Sequence, residues 1–279
     1  MAWQFGEGVW WTIRRVGTPR PCRAPAGLCK PGGRRAGWRG AVVTAGDRWQ
    51  HARHRYAETE CVVGDEGHRS SAAAVFDALG GEYEKAFAGS PAHRASLEWL
   101  LERLPAGSRV LDAGSGTGRP TAAVLAEAGH RVLGVDVSPV MTELASRRVP
   151  EAEFRCADVA SMPLEEESFD AVCVYFSLLL MSRAEQAAVV RRLTRALRPG
   201  GLLVLATVPL DVEDFEGVFM GQRVRLTSFA AQDVVALVRE AGLTVLSEQC
   251  VMFRPTHPGA APEPHLFLHC RRGSGPSAD

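Results

Sequence analysis

Lysine is nearly absent from these 279 residues. It stands only at positions 30 and 85, although Lys and Arg together number 32. The basic side chains are therefore almost all arginine, a bias that reads as genomic base composition rather than as selection at one site. A net charge is also missing: Lys+Arg and Asp+Glu balance at 32 each, so no global basic field points to nucleic acid. Long apolar runs are missing too. The longest, Ala171 to Met181, is far short of the roughly 20 residues a membrane-spanning helix needs. The seven cysteines show no paired spacing and do not read as a disulfide framework. What remains is a soluble, cytoplasmic protein. Its 46% hydrophobic and 23% charged residues are enough to build a core. The length fits one large domain or two small ones.

The balanced charge hides an asymmetry. Residues 1–70 carry 12 Lys+Arg against 6 Asp+Glu, and five of the six tryptophans lie in the first fifty residues. No period of 3.6 or 2 runs through this segment, and Gly, Pro and Arg are scattered along it, so it reads as a disordered extension. A start codon upstream of the one the cell uses would explain it. Three functional readings are weaker. A basic arm could reach nucleic acid. Arg14-Arg15 is a twin arginine, but no apolar run follows it. Cys22, Cys29 and Cys61 lack the C-x2-C or C-x4-C spacing of a zinc site, and no metal is expected. Residues 71–279 read as one domain.

From Ala72 the pattern changes. Val75, Phe76, Leu79, Tyr83 and Phe87 sit at helical spacing, and Pro91 opens a second helix carrying Leu97, Leu100, Leu101 and Leu104. Strands follow at 109–112, 131–136, 153–156, 169–176, 202–208, 243–253 and 265–271. Helices at 121–128, 139–148 and 183–197 alternate with them, and another runs from a Thr227 cap to about Ala241. Gly129 and Gly242 stop two of these helices. The stretch from Pro209 to Ser228 is long for a connection and reads as a substrate-covering loop. The alternation implies an α/β, Rossmann-like, doubly wound and mostly parallel seven-stranded sheet. Two cap helices precede it and an antiparallel strand pair ends it.

Between the first strand and its helix lies Asp112-Ala-Gly114-Ser115-Gly116-Thr117-Gly118. Glycines there let the backbone turn tightly and let a ligand approach. A dinucleotide G-x-G-x-x-G would put its third glycine at 119, where Arg119 stands, and no Gly-Lys-Ser/Thr follows as in a P-loop. Asp136 closes the next strand, where a carboxylate can accept both hydroxyls of a ribose. Asp158 follows the third strand, where a carboxylate can accept from an adenine amine. Ribose binding alone does not separate NAD from an adenosyl ligand.

Five pieces stand in order: VLDAGSGTG at 110–118, VLGVDVSPVM at 132–141, ADVASMPL at 157–164, FDAVCVYF at 169–176 and LRPGGLLVL at 197–205. Together they resemble the class I S-adenosylmethionine-dependent methyltransferases, over roughly residues 72–272. The resemblance implies S-adenosyl-L-methionine as cofactor. It implies that Asp112 and Gly114 serve the methionine amino group, with Ser115, Gly116 and Gly118 completing the loop. Asp136 would hold the ribose, Val137 and Met141 would bracket the adenine, and Asp158 and Val159 would meet its edge. Tyr175 and Phe176 would face the sulfonium and acceptor, and Tyr83 would cover the cofactor.

No catalytic base is assigned from sequence. His93, His257 and His265 are candidates, but each reads better as a surface or loop histidine. Asp211, Glu213 and Asp214 face either the pocket or solvent. The Asp/Asn-Pro-Pro-Tyr/Phe run of enzymes that methylate DNA bases is absent: the chain has Tyr175-Phe176-Ser177-Leu178. Cys173, inside a strand, is a poor nucleophile candidate. Phe176, Leu178–Met181, Phe215, Val218, Phe219 and Met220 suggest an apolar pocket. The expected acceptor is a small, largely apolar metabolite such as a phenol, quinone, polyketide or isoprenoid, methylated on oxygen or carbon. A protein or nucleic-acid methyltransferase using the basic arm, and an inactive cofactor-binding regulator, are the alternatives. The oligomeric state is not legible.

Overall fold

A computed structural model describes residues 3–4 and 66–273. The cysteine, twin-arginine and basic-arm readings fall outside them. In chain order the elements are β1 (Trp3–Gln4), α1 (Glu66–Leu79), α2 (Gly81–Phe87), α3 (Pro91–Leu101), β2 (Arg109–Ala113), α4 (Thr121–Glu127), β3 (Arg131–Asp136), α5 (Pro139–Arg148) and β4 (Glu153–Cys156). After them come β5 (Phe169–Tyr175), α6 (Arg183–Ala196), β6 (Leu197–Thr207), β7 (Val212–Phe219), β8 (Gln222–Ser228), α7 (Ala231–Glu240), β9 (Leu243–Phe253) and β10 (Glu263–Arg272).

Seven strands form one sheet in the order β4-β3-β2-β5-β6-β10-β9. The first five are parallel, and β10 pairs antiparallel with both β6 and β9. Alternate residues of each central strand enter different cores. In β5, Val172 and Val174 meet the apolar stripes of α6 and α7, while Ala171, Cys173 and Tyr175 meet those of α3 and α4. Both faces are covered, which is why β5 and β6 read as continuous apolar runs. Side-chain caps fix several helix starts. Ser90, Ser138 and Ser182 each accept a backbone N–H three residues on, and Ser182 forms a capping box with Glu185.

The structure corrects two expectations. The apolar spacing from Val75 to Phe87 is not one helix. Gly80 adopts φ 46°, ends α1 and redirects the chain into α2, so three helices precede β2. The stretch from Pro209 to Ser228 is not a loop. β7 and β8 pair antiparallel and turn at Met220-Gly221, both with positive φ (48° and 86°), as a two-residue hairpin requires. Thr227 consequently lies in β8 instead of capping a helix, and α7 begins at Ala231 behind Ala230, which makes no side-chain cap. A third, smaller core joins α1 to this hairpin through Val75, Leu79, Leu179, Phe219, Val224 and Leu226. β1 pairs with β7 opposite Val218 and Phe219.

Candidate functional site

The strand order reverses between β2 and β5, and the crevice at such a switch point lies outside the carboxyl ends of the strands. Here the crevice consists of two adjoining pockets. Tyr83, Gly114, Gly116, Tyr175 and Phe176 line both. Asp136, Val137, Met141, Asp158 and Val159 line one; Asp112 and Ser115 line the other. Thus twelve of the thirteen residues singled out from sequence lie around the crevice. Gly118 does not line it. A Cβ there would press on Phe154, Val149 and Ala145, so this glycine serves the packing of α5 and β4 against the loop.

The loop is built by backbone bonds. Gly114 and Ser115 both donate N–H to the Val135 carbonyl, at 2.7 and 3.0 Å. Gly114 has φ 77°, and a Cβ on it would stand 2.1 Å from the Ser177 Cβ, so only glycine fits. Ser177 in turn donates to the Ala113 carbonyl at 2.7 Å. Gly116, with φ 52°, faces open space and donates its N–H to Asp136 Oδ2 at 2.8 Å. Ser138 N–H donates to Asp136 Oδ1 at 2.9 Å. The acid at the end of β3 is therefore fixed by the loop it faces. Burial raises its pKa, and the N–H groups of Ser138 and Gly116 offset part of that rise.

Asp112 is buried, and its Oδ2 has no hydrogen-bond partner. Burial, with a contribution from Asp136, pushes its carboxyl up to about 8. An orphaned buried carboxyl oxygen beside a second acid is a place for a cation. Asp158 accepts the Ala160 N–H at 2.8 Å, which orients its carboxylate in the Asp136 pocket.

Tyr175 presents only its ring. Its hydroxyl is hydrogen-bonded to Ser96 Oγ at 3.0 Å, and that oxygen contacts His269 Nε2 at 2.9 Å. Phe176 has φ 57°, a left-handed conformation rare for a bulky residue, held by its N–H bond to the Ala206 carbonyl at 2.8 Å. Tyr83 packs against Phe76, Phe87 and Phe219. Burial, then the Asp136 charge, raises its phenol well above the ordinary range, so it stays neutral.

Several lining residues had no motif to announce them. Ala72 and Phe76 of α1 line the Asp136–Asp158 pocket together with Phe219 of β7, which the apolar reading did include, while Phe87, Ser90 and Arg119 line the Asp112 pocket. For the α1 and α2 residues only the repeated apolar spacing hinted at this roof. Two acids tie the roof down. Asp77 Oδ1 accepts from Ser138 Oγ at 2.5 Å, and Glu84 accepts from Thr117 Oγ1 at 2.7 Å and pairs with Arg148.

The histidine expectation is corrected in part. His265 is buried and lines the Asp112 pocket, as does His93; His257 lines neither pocket. Asp211, Glu213 and Asp214 are exposed and face cations: Arg183 bonds Asp211 at 2.8 Å, and Arg225 bonds Asp214 at 2.9 Å. Of the apolar residues proposed for the pocket, Phe176, Leu178–Met181 and Phe219 line it, whereas Phe215, Val218 and Met220 do not. Burial pushes the Cys173 thiol far up, so it is no nucleophile.

Residues 110–201 match the methyltransferase-domain family. This is a class I, S-adenosylmethionine-dependent methyltransferase domain. The methyltransferase GfsG of Streptomyces halstedii is 33% identical over 190 residues, 61% of this chain and 66% of that protein. The demethylmenaquinone methyltransferase of Beutenbergia cavernae is 40% identical over 113 residues, 40% of this chain and 45% of that protein. The chain thus spans less than two thirds of each of these two relatives. Among solved structures, the fold is similar to a Burkholderia thailandensis 1,6-didemethyltoxoflavin-N1-methyltransferase with bound S-adenosylhomocysteine. That likeness has a TM-score of 0.59 and 24% identity, and covers 78% of this chain and 94% of that one. No helix among the described residues is long and apolar enough to cross a membrane.

The residues of the methyltransferase crevice fit the family's cofactor. The unpartnered Asp112 oxygen suits a methionine ammonium, the fixed Asp136 suits ribose hydroxyls, and Asp158 suits an adenine amine.

Proposed function

We propose that this protein transfers a methyl group from S-adenosylmethionine to a small, largely apolar metabolite, on oxygen or carbon. The observation that carries the reading is the division of the crevice. Three carboxyls, the orphaned Asp112 and the hydrogen-bonded Asp136 and Asp158, line its floor, and an apolar set from Leu178 to Met181, with Phe76 and Phe219, lines the Asp136–Asp158 pocket. No residue of that wall set could recognise a charged polymer by its phosphates. The relatives named demethylmenaquinone methyltransferase support an acceptor of this kind.

When bound, the cofactor supplies an electrophilic methyl group. The chain supplies position. Asp112 would hold the ammonium, Asp136 both ribose hydroxyls, and Asp158 the adenine amine, with Val137 and Met141 on the adenine faces. Met141 is fully buried and Val137 half-buried. Tyr83 and Phe76 exclude water from above. Holding the two reactants close and aligned is worth up to about 7–11 kcal/mol, enough for this chemistry with little other machinery.

Calorimetric titration with S-adenosylmethionine and with NAD tests the cofactor. A panel of phenols, quinones, a histone-type peptide and duplex DNA, each scored for S-adenosylhomocysteine formation, tests the acceptor. Turnover confined to the peptide or DNA, and lost on deleting residues 1–65, would favour the basic-arm alternative instead.

A further inference from the structure

Trp3 and Gln4 lie far in sequence from every motif of the methyltransferase domain, yet they form a strand of it. β1 pairs antiparallel with β7, Trp3 opposite Phe219 and Gln4 opposite Val218. Both strands belong to one compact unit of the chain. The small sheet runs β1-β7-β8, so β7 is its middle strand and β1 its edge.

The hairpin needs such a partner. Two antiparallel strands alone are marginally stable in water, and a third strand is what lets such a unit persist. β7 is also irregular. Its register against β8 shifts between Val212 and Phe215, and Asp211 and Asp214 have positive φ (54° and 49°). A bulge of this kind bends the strand that carries it. The base of the hairpin is tied to the domain by side chains and backbone. Thr227 donates its N–H to the Leu179 carbonyl at 2.9 Å, Gln186 Nε2 donates to the Thr227 carbonyl at 2.9 Å, and Ser228 Oγ donates to the Val208 carbonyl. β1 acts at the other end, opposite the two residues before the Met220-Gly221 turn. One of them is Phe219. It is buried, lines the Asp136–Asp158 pocket, and its ring stands 6.2 Å, centroid to centroid, from both Tyr83 and Phe87.

We propose that β1 is part of the acceptor pocket: by backbone pairing with β7 it holds the tip of the hairpin, and with it Phe219, against the crevice. The inference deepens the methyltransferase reading above and rests on it. Strand addition steadies its partner through main-chain bonds. The acids proposed for the cofactor lie in β2, in β3 and just after β4, none of which pairs with the hairpin. Loss of β1 therefore frees Phe219 and loosens the grip on an acceptor, while the grip on the donor is kept.

The test is hydrogen exchange of the full-length protein, read by mass spectrometry, in wild type and in Trp3→Pro/Gln4→Pro, which has no N–H to give the ladder at either position. Amides of residues 212–228 should exchange about tenfold faster or more in that variant, and those of β2 and β5 at the wild-type rate. Trp3→Val/Gln4→Thr keeps both donors and should exchange as wild type does. With 4-fluorophenylalanine labelling, the Phe219 fluorine signal, assigned through Phe219→Leu, should broaden or move in the proline variant alone. Calorimetry should find S-adenosylhomocysteine affinity within about twofold of wild type, as for independent sites. Affinity of the loaded protein for 2-naphthol should fall about tenfold. Unchanged exchange with an unmoved Phe219 signal overturns the proposal. So does unfolding of the whole domain, or equal loss in Trp3→Val/Gln4→Thr, because either places the effect outside the β1–β7 backbone. A loosened hairpin with unchanged 2-naphthol affinity, or no 2-naphthol binding to loaded wild type, overturns the role in the acceptor pocket. Failure of wild type to bind S-adenosylhomocysteine would instead sink the methyltransferase reading and leave the exchange result standing. Both double variants keep every arginine of residues 1–65, so they leave a basic arm intact.

Discussion

Asp112 makes the cofactor pocket a proton-linked site, and the linkage can be worked through. Its carboxyl is held near 8 by burial, against an ordinary value of 3.8. Between those two values the folded protein keeps a proton that the unfolded chain has released. Stability therefore falls as pH rises through that window. At pH 7 the cost is roughly 4 kcal/mol at 1.36 kcal/mol per unit. A cation placed against the orphaned oxygen reverses the preference, so binding S-adenosylhomocysteine below pH 7 should release close to one proton. Calorimetry in buffers of different ionisation enthalpy measures that release. Asp112→Asn should abolish it and flatten the decline of urea stability between pH 5 and 8. The same change should weaken cofactor binding by about 2–5 kcal/mol, roughly thirty-fold or more, because a charge partner in a buried site is lost. Equal proton release in wild type and variant, or unchanged affinity, would refute the assignment of Asp112 to the ammonium.

Asp136→Ala should lose cofactor affinity while far-UV circular dichroism stays unchanged; normal binding by calorimetry would remove Asp136 from the ribose site. Gly114→Ala should destabilise the fold itself by more than about 2 kcal/mol in urea unfolding, since its Cβ would overlap Ser177. Gly116→Val should fold with a smaller loss, because its surroundings are open, yet should block the cofactor; normal binding would mean that the loop does not touch it. Asp77→Ala removes the bond from α1 to Ser138 and should speed amide hydrogen exchange in α1 while leaving β2 and β5 protected.

The floor of the site was legible in the sequence because its parts are local. Asp112 and Asp136 lie at the ends of strands that announce themselves by apolar runs, Asp158 follows the short β4 by two residues, and the glycines mark the turn between one strand and its helix. Gly118 was assigned to the ligand because a glycine beside a binding loop looks the same whether it admits a ligand or a neighbouring Phe154. The roof was less legible. Val212–Phe219 carries Glu213, Asp214 and Glu216 on its exposed side, and this acidic run masked a strand whose partner β8 shows Val224 and Leu226 at alternating positions. His265 reads as a surface histidine from sequence because nothing local marks the depth of the antiparallel strand that carries it. Its burial comes from Phe176 and Phe253, 89 and 12 residues away in sequence.

The β7–β8 hairpin has a consequence for how this protein can diversify. It is inserted between β6 and α7 and hydrogen-bonds to no strand of the seven-stranded sheet. Its tip is a two-residue turn, and its inner side supplies Phe219 to the crevice. Lengthening, shortening or reshuffling this flap need not disturb any strand register of the main sheet, nor Asp112, Asp136 and Asp158, the acids proposed to hold the cofactor. Novelty in what is methylated can thus accumulate on a detachable awning, while the foundation that handles the donor stays as it is.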